Sequence, residues 1–164
     1  MNVAIYCGSA FGNSKIYEEK TIELAEKLYK NSINIVYGGS KQGLMGVISN
    51  KSLSLGNKVT GVITFDLVGK ELENTNISKI YKVDSMRERK AKMEELSDAF
   101  IALPGGYGTF EEIIDVIASS QIGYHKKPCA FVNINGYYDK LIEFFYSWDR
   151  KSTRLNSSHS RASR

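Results

Sequence analysis

Residues 99–120 read AFIALPGGYGTFEEIIDVIASS, and the order of elements within them indicates the fold class. Its first residues, Ala99–Leu103, form a short apolar run that predicts a buried strand. Pro104, Gly105 and Gly106 end that strand, and the apolar spacing over Thr109–Ser120 predicts a helix. A buried strand that passes through a glycine turn into a helix is the repeating unit of α/β proteins.

The same order of strand, turn and helix continues on both sides of this stretch. Because the strands read as continuous apolar runs, the sequence predicts an α/β fold: a Rossmann-like, doubly wound parallel sheet with helices on both faces, in one domain over residues 1–149. Ser85 is expected to cap the helix before the quoted strand. Phe65–Ile77 is ambiguous and has room for a short helix. The other predicted strands are Val3–Cys7, Ile33–Tyr37, Lys58–Ile63, Ile80–Val83 and Cys129–Val132, and the other predicted helices are Lys15–Asn31, Leu44–Leu55, Met86–Leu96 and Tyr138–Trp148.

The composition indicates a soluble cytoplasmic protein. Of the 164 residues, 42% are hydrophobic and 24% are charged, and no apolar run approaches the ~18 residues of a membrane span. The apolar start, Met1–Ala10, has no basic region before it, so we interpret it as a first strand and not as a signal peptide. Two cysteines and two histidines are too few and too scattered to predict a disulfide framework or a metal site.

The net charge of +4 is concentrated at the end of the chain. Residues 150–164 hold five basic residues and no acidic one, which leaves 17 basic and 18 acidic residues over residues 1–149. This balance does not support a basic face for nucleic acid. The last residues lack apolar periodicity and resemble translated vector sequence, so we expect residues 150–164 to be a non-native, disordered basic tail.

Three glycine turns follow predicted strands. They are Gly8-Ser9, Gly38-Gly39-Ser40 and the turn of residues 105–108. In parallel sheets ligands bind beyond the carboxyl ends of the strands, and glycine before a helix start lets backbone N–H groups approach a phosphate. The spacing Thr109-x-x-Glu112 also fits a capping box, so Glu112 is either a capping residue or a functional carboxylate.

Known phosphate-binding fingerprints are absent from the sequence. There is no Gly-x-Gly-x-x-Gly after the first strand, and Gly69-Lys70 is followed by Glu71 and not by Ser or Thr. Arg89 and Lys90 lie near a predicted helix start, where cations oppose the helix dipole. Two adjacent cations at the mouth of an α/β sheet indicate an anionic substrate better than they indicate a stabilised helix.

These segments together resemble the Lonely Guy family of cytokinin riboside 5′-monophosphate phosphoribohydrolases, which are often mislabelled lysine decarboxylases. The resemblance rests on Pro104-Gly105-Gly106-x-Gly108-Thr109-x-x-Glu112 with Met86-x-x-Arg89-Lys90 ahead of it. It extends over residues 3–148 and includes the two earlier glycine turns. Two departures are Ala118, where many members carry Thr or Ser, and a C-terminal helix that normally continues past the start of the basic tail.

The resemblance implies hydrolysis of the N-glycosidic bond of a purine nucleoside 5′-monophosphate, whose base is adenine or an N6-modified adenine. It implies no cofactor or metal, and a homodimer with active sites near the interface. Arg89 and Glu112 match the catalytic pair. The residues expected to bind substrate are Glu71, Lys90, Gly105, Gly106, Tyr107, Gly108, Thr109, Glu111, Gly8, Ser9, Gly38 and Gly39.

Two other classes of protein are alternatives to this interpretation: a pyridoxal-dependent decarboxylase and a non-catalytic carrier. A pyridoxal-dependent decarboxylase needs a Schiff-base lysine, and no lysine here is marked out for that role. A non-catalytic carrier of a nucleotide or cofactor would use the glycine turns equally well. It would not need both Arg89 and Glu112, and it would bind a nucleotide without releasing a base.

Overall fold

Six parallel strands form the centre of the protein, as seen in a computed structural model that describes residues 1–68, 70 and 72–148. The strands are β1 (Asn2–Tyr6), β2 (Asn34–Tyr37), β3 (Val59–Thr64), β4 (Lys79–Val83), β5 (Ala99–Ala102) and β6 (Cys129–Phe131). Their order in the sheet is β4-β3-β2-β1-β5-β6, and every pairing is parallel. The predicted α/β fold with a parallel sheet is confirmed.

The helices lie between the strands along the chain. They are α1 (Ile16–Lys30), α2 (Gly43–Leu55), the short α3 (Phe65–Val68), α4 (Met86–Leu96) and α5 (Tyr107–Gln121), and residues 139–148 are also helical. Of the described helices, none has the length and apolar character that a membrane crossing requires. The predicted basic tail, residues 150–164, lies outside the described residues.

Alternate residues of each central strand face opposite layers, as the period of two in a strand requires. Val3 and Ile5 of β1 pack into a core with residues of α1 and α2. Ala4 and Tyr6 pack into a second core with Met93 of α4 and residues of α5. The sheet is therefore buried on both faces, which explains the continuous apolar runs in the sequence.

The connections place one crevice at the carboxyl edge of the sheet. From β1 the chain moves outward through β2, β3 and β4, and it then crosses to β5 on the other side of β1. The loops after β1 and β5 consequently diverge, and an open α/β sheet binds its ligands at such a switch point. Gly8 N donates to Pro104 O at 3.2 Å, so the first residues of the two loops are held together at the base of the crevice.

Candidate active site

A cavity of about 430 Å³ opens in this crevice. Its walls come from the ends of β1 and β2, the segment after β3, and the first turns of α4 and α5. Of the predicted site residues it contains Gly8, Ser9, Gly38, Arg89, Gly106, Tyr107, Gly108, Thr109 and Glu112. A second depression of about 600 Å³, lined by Lys41, Asn50 and residues 73–76 among others, contains none of those predicted residues that the structure describes.

The turn between β5 and α5 differs from the capping box that the sequence allowed. Helix α5 begins at Tyr107, with Gly106 in an extended conformation at the N-cap and no side-chain capping bond. Thr109 is therefore the third residue of the helix, and Glu112 lies in its second turn, out of reach of the cap. The capping interpretation of Glu112 is wrong, because the helix begins at the glycine turn, ahead of the position that a threonine cap would set.

The glycines of this turn have two different reasons to be glycine. A β-carbon on Gly105 would lie 2.1 Å from Thr109 Oγ1 and 2.9 Å from Gly8 N, so close packing excludes a side chain there. A β-carbon on Gly106 or Gly108 would meet nothing within 4 Å. These two glycines line the cavity, and they leave its wall as bare backbone that a ligand can approach closely.

Arg89 reaches the cavity from the first turn of α4. Ser85 caps this helix, as predicted, because its side chain accepts a hydrogen bond from Glu88 N at 3.2 Å. Arg89 is buried, and its guanidinium donates from Nε to Val62 O at 2.9 Å and from Nη1 to Glu112 Oε1 at 2.6 Å. A β-carbon at Gly38 would lie 2.1 Å from Arg89 Nη2, so this glycine makes the space that the guanidinium occupies.

Glu112 is the only carboxylate among the described residues that line the cavity. It is 8% exposed. Burial raises the pKa of Glu112, and the adjacent charge of Arg89 offsets only part of that effect. A carboxylate that is desolvated, paired with a guanidinium and still open to a cavity is suited to accept a proton or to stabilise positive charge on a bound ligand.

Lys90 and Glu111 lie outside the cavity. Lys90 Nζ forms an ion pair with the carboxylate of Glu111 and a second one, at 3.1 Å, with Asp115 Oδ2. These two acidic residues are one helical turn apart on α5, so Lys90 joins the outer faces of α4 and α5. Gly39 and Gly105 do not line the cavity either, and Glu71 lies outside the described residues.

Several cavity residues were not predicted from the sequence. Ser40 and Gln42 line it from the loop that begins at the second glycine turn, and Met45 lines it from the first turn of α2. Leu67, Leu72 and Met86 add an apolar wall. The two leucines fall in the stretch of ambiguous secondary structure, where no periodicity marked them. Met86 belongs to the motif around Arg89, and its place at a helix start beside the switch point was the available signal.

Comparison with known proteins agrees with the family resemblance that the sequence motifs indicated. The model of the family described as "Possible lysine decarboxylase" matches residues 45–161. The cytokinin riboside 5′-monophosphate phosphoribohydrolase LOG2 of Arabidopsis thaliana is 44% identical over 142 residues, which are 87% of this chain and 67% of that protein. The corresponding LOG protein of Oryza sativa subsp. japonica is 43% identical, over 87% of this chain and 59% of its own length. The chain spans about 57–67% of the length of the curated relatives that it matches.

Solved structures share the fold at low sequence identity. The molybdenum cofactor carrier protein of Chlamydomonas reinhardtii has a TM-score of 0.71 and 15% identity, over 91% of this chain and 84% of that one. The molybdenum cofactor binding protein of Rippkaea orientalis has a TM-score of 0.64 and 15% identity, over 79% and 74% of the two chains. At such identities the likeness concerns the backbone fold and not the ligand.

Proposed function

We propose that this chain, which belongs to the Lonely Guy family, hydrolyses the N-glycosidic bond of a purine nucleoside 5′-monophosphate and releases the free base and ribose 5-phosphate. The observation that carries the proposal is the buried pair of Arg89 and Glu112 facing the same cavity as the bare backbone at the start of α5. The backbone at the start of α5 can bind an anion, and Glu112 lines the same cavity, where its carboxylate can act on the sugar that carries the anion.

The 5′-phosphate binds at the start of α5 in this proposal. The first N–H groups of a helix have no partner within the helix, and the helix dipole favours negative charge there. Gly106 and Gly108 leave these groups unobstructed. Phosphate binding remote from the reacting bond provides energy that orients the ribose.

Glu112 acts on the ribose. Breaking the bond between C1′ and N9 builds positive charge on the sugar, as in glycoside hydrolysis, and a nearby carboxylate stabilises that charge. The carboxylate also accepts a proton from the water whose oxygen attacks C1′, while the bonding electrons leave with the base, which takes up a proton. Arg89 favours the ionised form of Glu112 and orients its carboxylate, and its remaining N–H groups are available to ribose hydroxyls or phosphate.

The base, adenine or an N6-modified adenine, contacts the apolar wall formed by Leu67, Leu72 and Met86 in this proposal. No metal or cofactor takes part. Lys90, Glu111, Gly39 and Gly105 support the walls from outside the cavity, and Glu71 stays a predicted substrate contact.

Assembly as a homodimer, with the two sites near the interface, is part of the proposal. Large apolar side chains lie exposed beside the cavity: Tyr107 is 95% exposed and Phe110 is 44% exposed. Exposed apolar patches of this kind mark interaction surfaces. Light scattering at micromolar concentration should give the mass of a dimer, and a monomer would contradict this part of the proposal. A cytoplasmic location, without nucleic-acid or membrane partners, completes it.

Incubation with adenosine monophosphate and with adenosine tests the function directly. We expect free adenine from the monophosphate and a catalytic efficiency for adenosine lower by at least about a thousandfold, since several charge-assisted hydrogen bonds to phosphate are then lost. Comparable hydrolysis of both compounds would replace the proposal with an ordinary nucleosidase. Binding of the monophosphate without release of a base would instead identify a carrier.

A further inference from the structure

Each backbone carbonyl of the turn between β5 and α5 accepts a hydrogen bond within the protein. Four consecutive carbonyl oxygens, of residues 103–106, each accept a hydrogen bond, three of them from donors distant in the chain and one from the first turns of α5 itself. The donors are Tyr138 Oη to Leu103 O at 2.7 Å, Gly8 N to Pro104 O at 3.2 Å, Tyr137 Oη to Gly105 O at 2.7 Å, and Phe110 N to Gly106 O at 3.1 Å.

The N–H groups of the same turn are left free. Within the described part of the chain, the N–H groups of residues 106–109 have no acceptor in hydrogen-bond range. The described peptide bonds are all trans, so the C=O and the N–H of one peptide point in opposite directions. A bond that pulls Gly105 O toward Tyr137 therefore turns the N–H of Gly106 away from Tyr137, toward the cavity that Gly106 lines.

We propose that Tyr137 is a positioning residue, which holds the peptide between Gly105 and Gly106 in the orientation that presents the Gly106 N–H to the phosphate of the substrate. The inference rests on the proposed function, because it takes the anion at the start of α5 to be that phosphate. Tyr137 itself does not line the cavity, so its effect on the ligand is exerted through the backbone.

This peptide needs an external restraint. Gly106 carries no β-carbon, and the space that a β-carbon would occupy is open, so no side chain at this position restricts the orientation of the peptide. Gly105 is packed against Gly8 and Thr109, which fixes its α-carbon but not the plane of the peptide that follows. In the rotated state the carbonyl oxygen would face the phosphate and repel it.

The aromatic ring of Tyr137 is itself held in place. It packs edge-on against Tyr17 of α1, with ring centroids 5.9 Å apart, and against Tyr138, with centroids 4.9 Å apart. Removal of the hydroxyl alone, in Tyr137→Phe, keeps these contacts and deletes only the bond to Gly105 O.

Tyr138 provides a matched control in the next residue. Its hydroxyl makes a bond of the same 2.7 Å length, but its acceptor is Leu103 O. The nitrogen of that peptide belongs to Pro104, which has no N–H to present to a ligand. Tyr138→Phe should therefore lower stability, since the bond is buried, without changing the recognition of phosphate.

Calorimetric titration tests the proposal without relying on turnover: ribose 5-phosphate and adenosine are titrated into each variant, and adenosine monophosphate into each variant that also carries Glu112→Gln, so that its hydrolysis is slow. For Tyr137→Phe we expect binding of the two phosphorylated ligands to weaken roughly three- to tenfold, as loss of one ligand hydrogen bond implies, with adenosine unaffected. Kinetically, KM for the monophosphate should rise while kcat changes little. Tyr138→Phe should bind all three ligands as the parent does and should have a lower Tm.

Unchanged affinity of Tyr137→Phe for ribose 5-phosphate would overturn the proposal. So would an equal loss of affinity for adenosine, or an equal loss of ribose 5-phosphate binding in Tyr138→Phe, because either would reflect general loosening of the turn. If the parent protein binds ribose 5-phosphate but releases no base, the proposed function fails while the comparison of variants still decides the role of Tyr137. If the parent binds no phosphorylated ligand, the positioning role fails as well.

Discussion

Among the described ion pairs that join α4 to α5, two lie one residue apart on both helices. Arg89 and Glu112 form the inner pair, at 2.6 Å, with side chains 7% and 9% exposed. Lys90 and Glu111 form the outer pair, with side chains 23% and 56% exposed. The inner pair lines the cavity and the outer pair does not.

The difference follows from helix geometry. One step along a helix turns the side chain by about 100°, so neighbours such as Arg89 and Lys90 face different surroundings. The inner pair is desolvated, and removal of one partner leaves an uncompensated buried charge. The outer pair is screened by water and is worth at most about 1 kcal/mol. The same charges thus line a cavity in one place and join the outer faces of two helices in the other.

Arg89→Ala, in the inner pair, should have the largest effect on base release and on stability. Glu112 would lose both its neutralising charge and its orientation, so base release should fall at least about a thousandfold, and the folded state should lose up to about 3–5 kcal/mol. Single-turnover release of adenine and urea denaturation measure the two effects. Arg87→Ala removes an exposed cation two residues away and serves as the control. Equal losses in both variants would point to a general electrostatic effect in place of a positioned guanidinium.

Glu112→Gln should have the next largest effect. The amide keeps the shape of the side chain but carries no charge, so base release should fall about a hundredfold or more while ribose 5-phosphate still binds. Product chromatography and calorimetry give the two values. Glu111→Gln makes the same change in the outer pair and should remain within about twofold of the parent. An active Glu112→Gln protein would remove the carboxylate from the mechanism.

The pH dependence of base release and of stability should reveal the burial of Glu112 in the inner pair. Because burial raises the pKa of Glu112, the acid limb of base release should lie above the range of an exposed glutamate. Stability changes in the opposite direction: unfolded Glu112 loses its proton at lower pH than folded Glu112, so the free energy of unfolding falls as pH rises between these two pKa values. Rates and denaturation curves across pH measure both trends. If the acid limb persists in Glu112→Gln, it belongs to another group.

Lys90→Ala should have the smallest effect. Loss of its ion pairs with Glu111 and Asp115 should cost at most about 1 kcal/mol, less at high salt, and should change base release by no more than about twofold. Thermal denaturation at two salt concentrations and a steady-state assay measure this. A large rise in KM with unchanged stability would indicate that Lys90 contacts the substrate, as the family resemblance implied.

The sheet could be predicted because its central strands, β1, β2, β3 and β5, are largely buried and therefore read as apolar runs, whereas the edge strands β4 and β6 are only partly buried. The site could be predicted only in part. Arg89 and Glu112 were found through a motif, but the partners of Lys90 depend on how α4 and α5 are rotated against each other, which the spacing within one helix does not specify. The start of α5 was misplaced because Thr109 is a good capping residue, whereas the chain already enters the helix after the extended Gly106, without a side-chain cap.

Glycine was equally ambiguous in the sequence. Gly106 and Gly108 face open space, while Gly43 has a φ of 52° and would place a β-carbon 2.3 Å from the backbone of Ser9. The two turns contain the same residue type for opposite reasons, one to leave a wall bare and the other to bring two loops together. Only the surroundings in three dimensions distinguish these uses.

The space at Gly38 has a consequence for the pair of Arg89 and Glu112. A β-carbon there would occupy the position of Arg89 Nη2, and the guanidinium could move only by giving up its bonds to Val62 O and Glu112. In this chain a larger residue at position 38 would displace the end of the guanidinium and weaken the counter-charge at Glu112. The empty space directly after β2 is therefore a condition for a charge pair that joins two separate helices, although it belongs to neither of them.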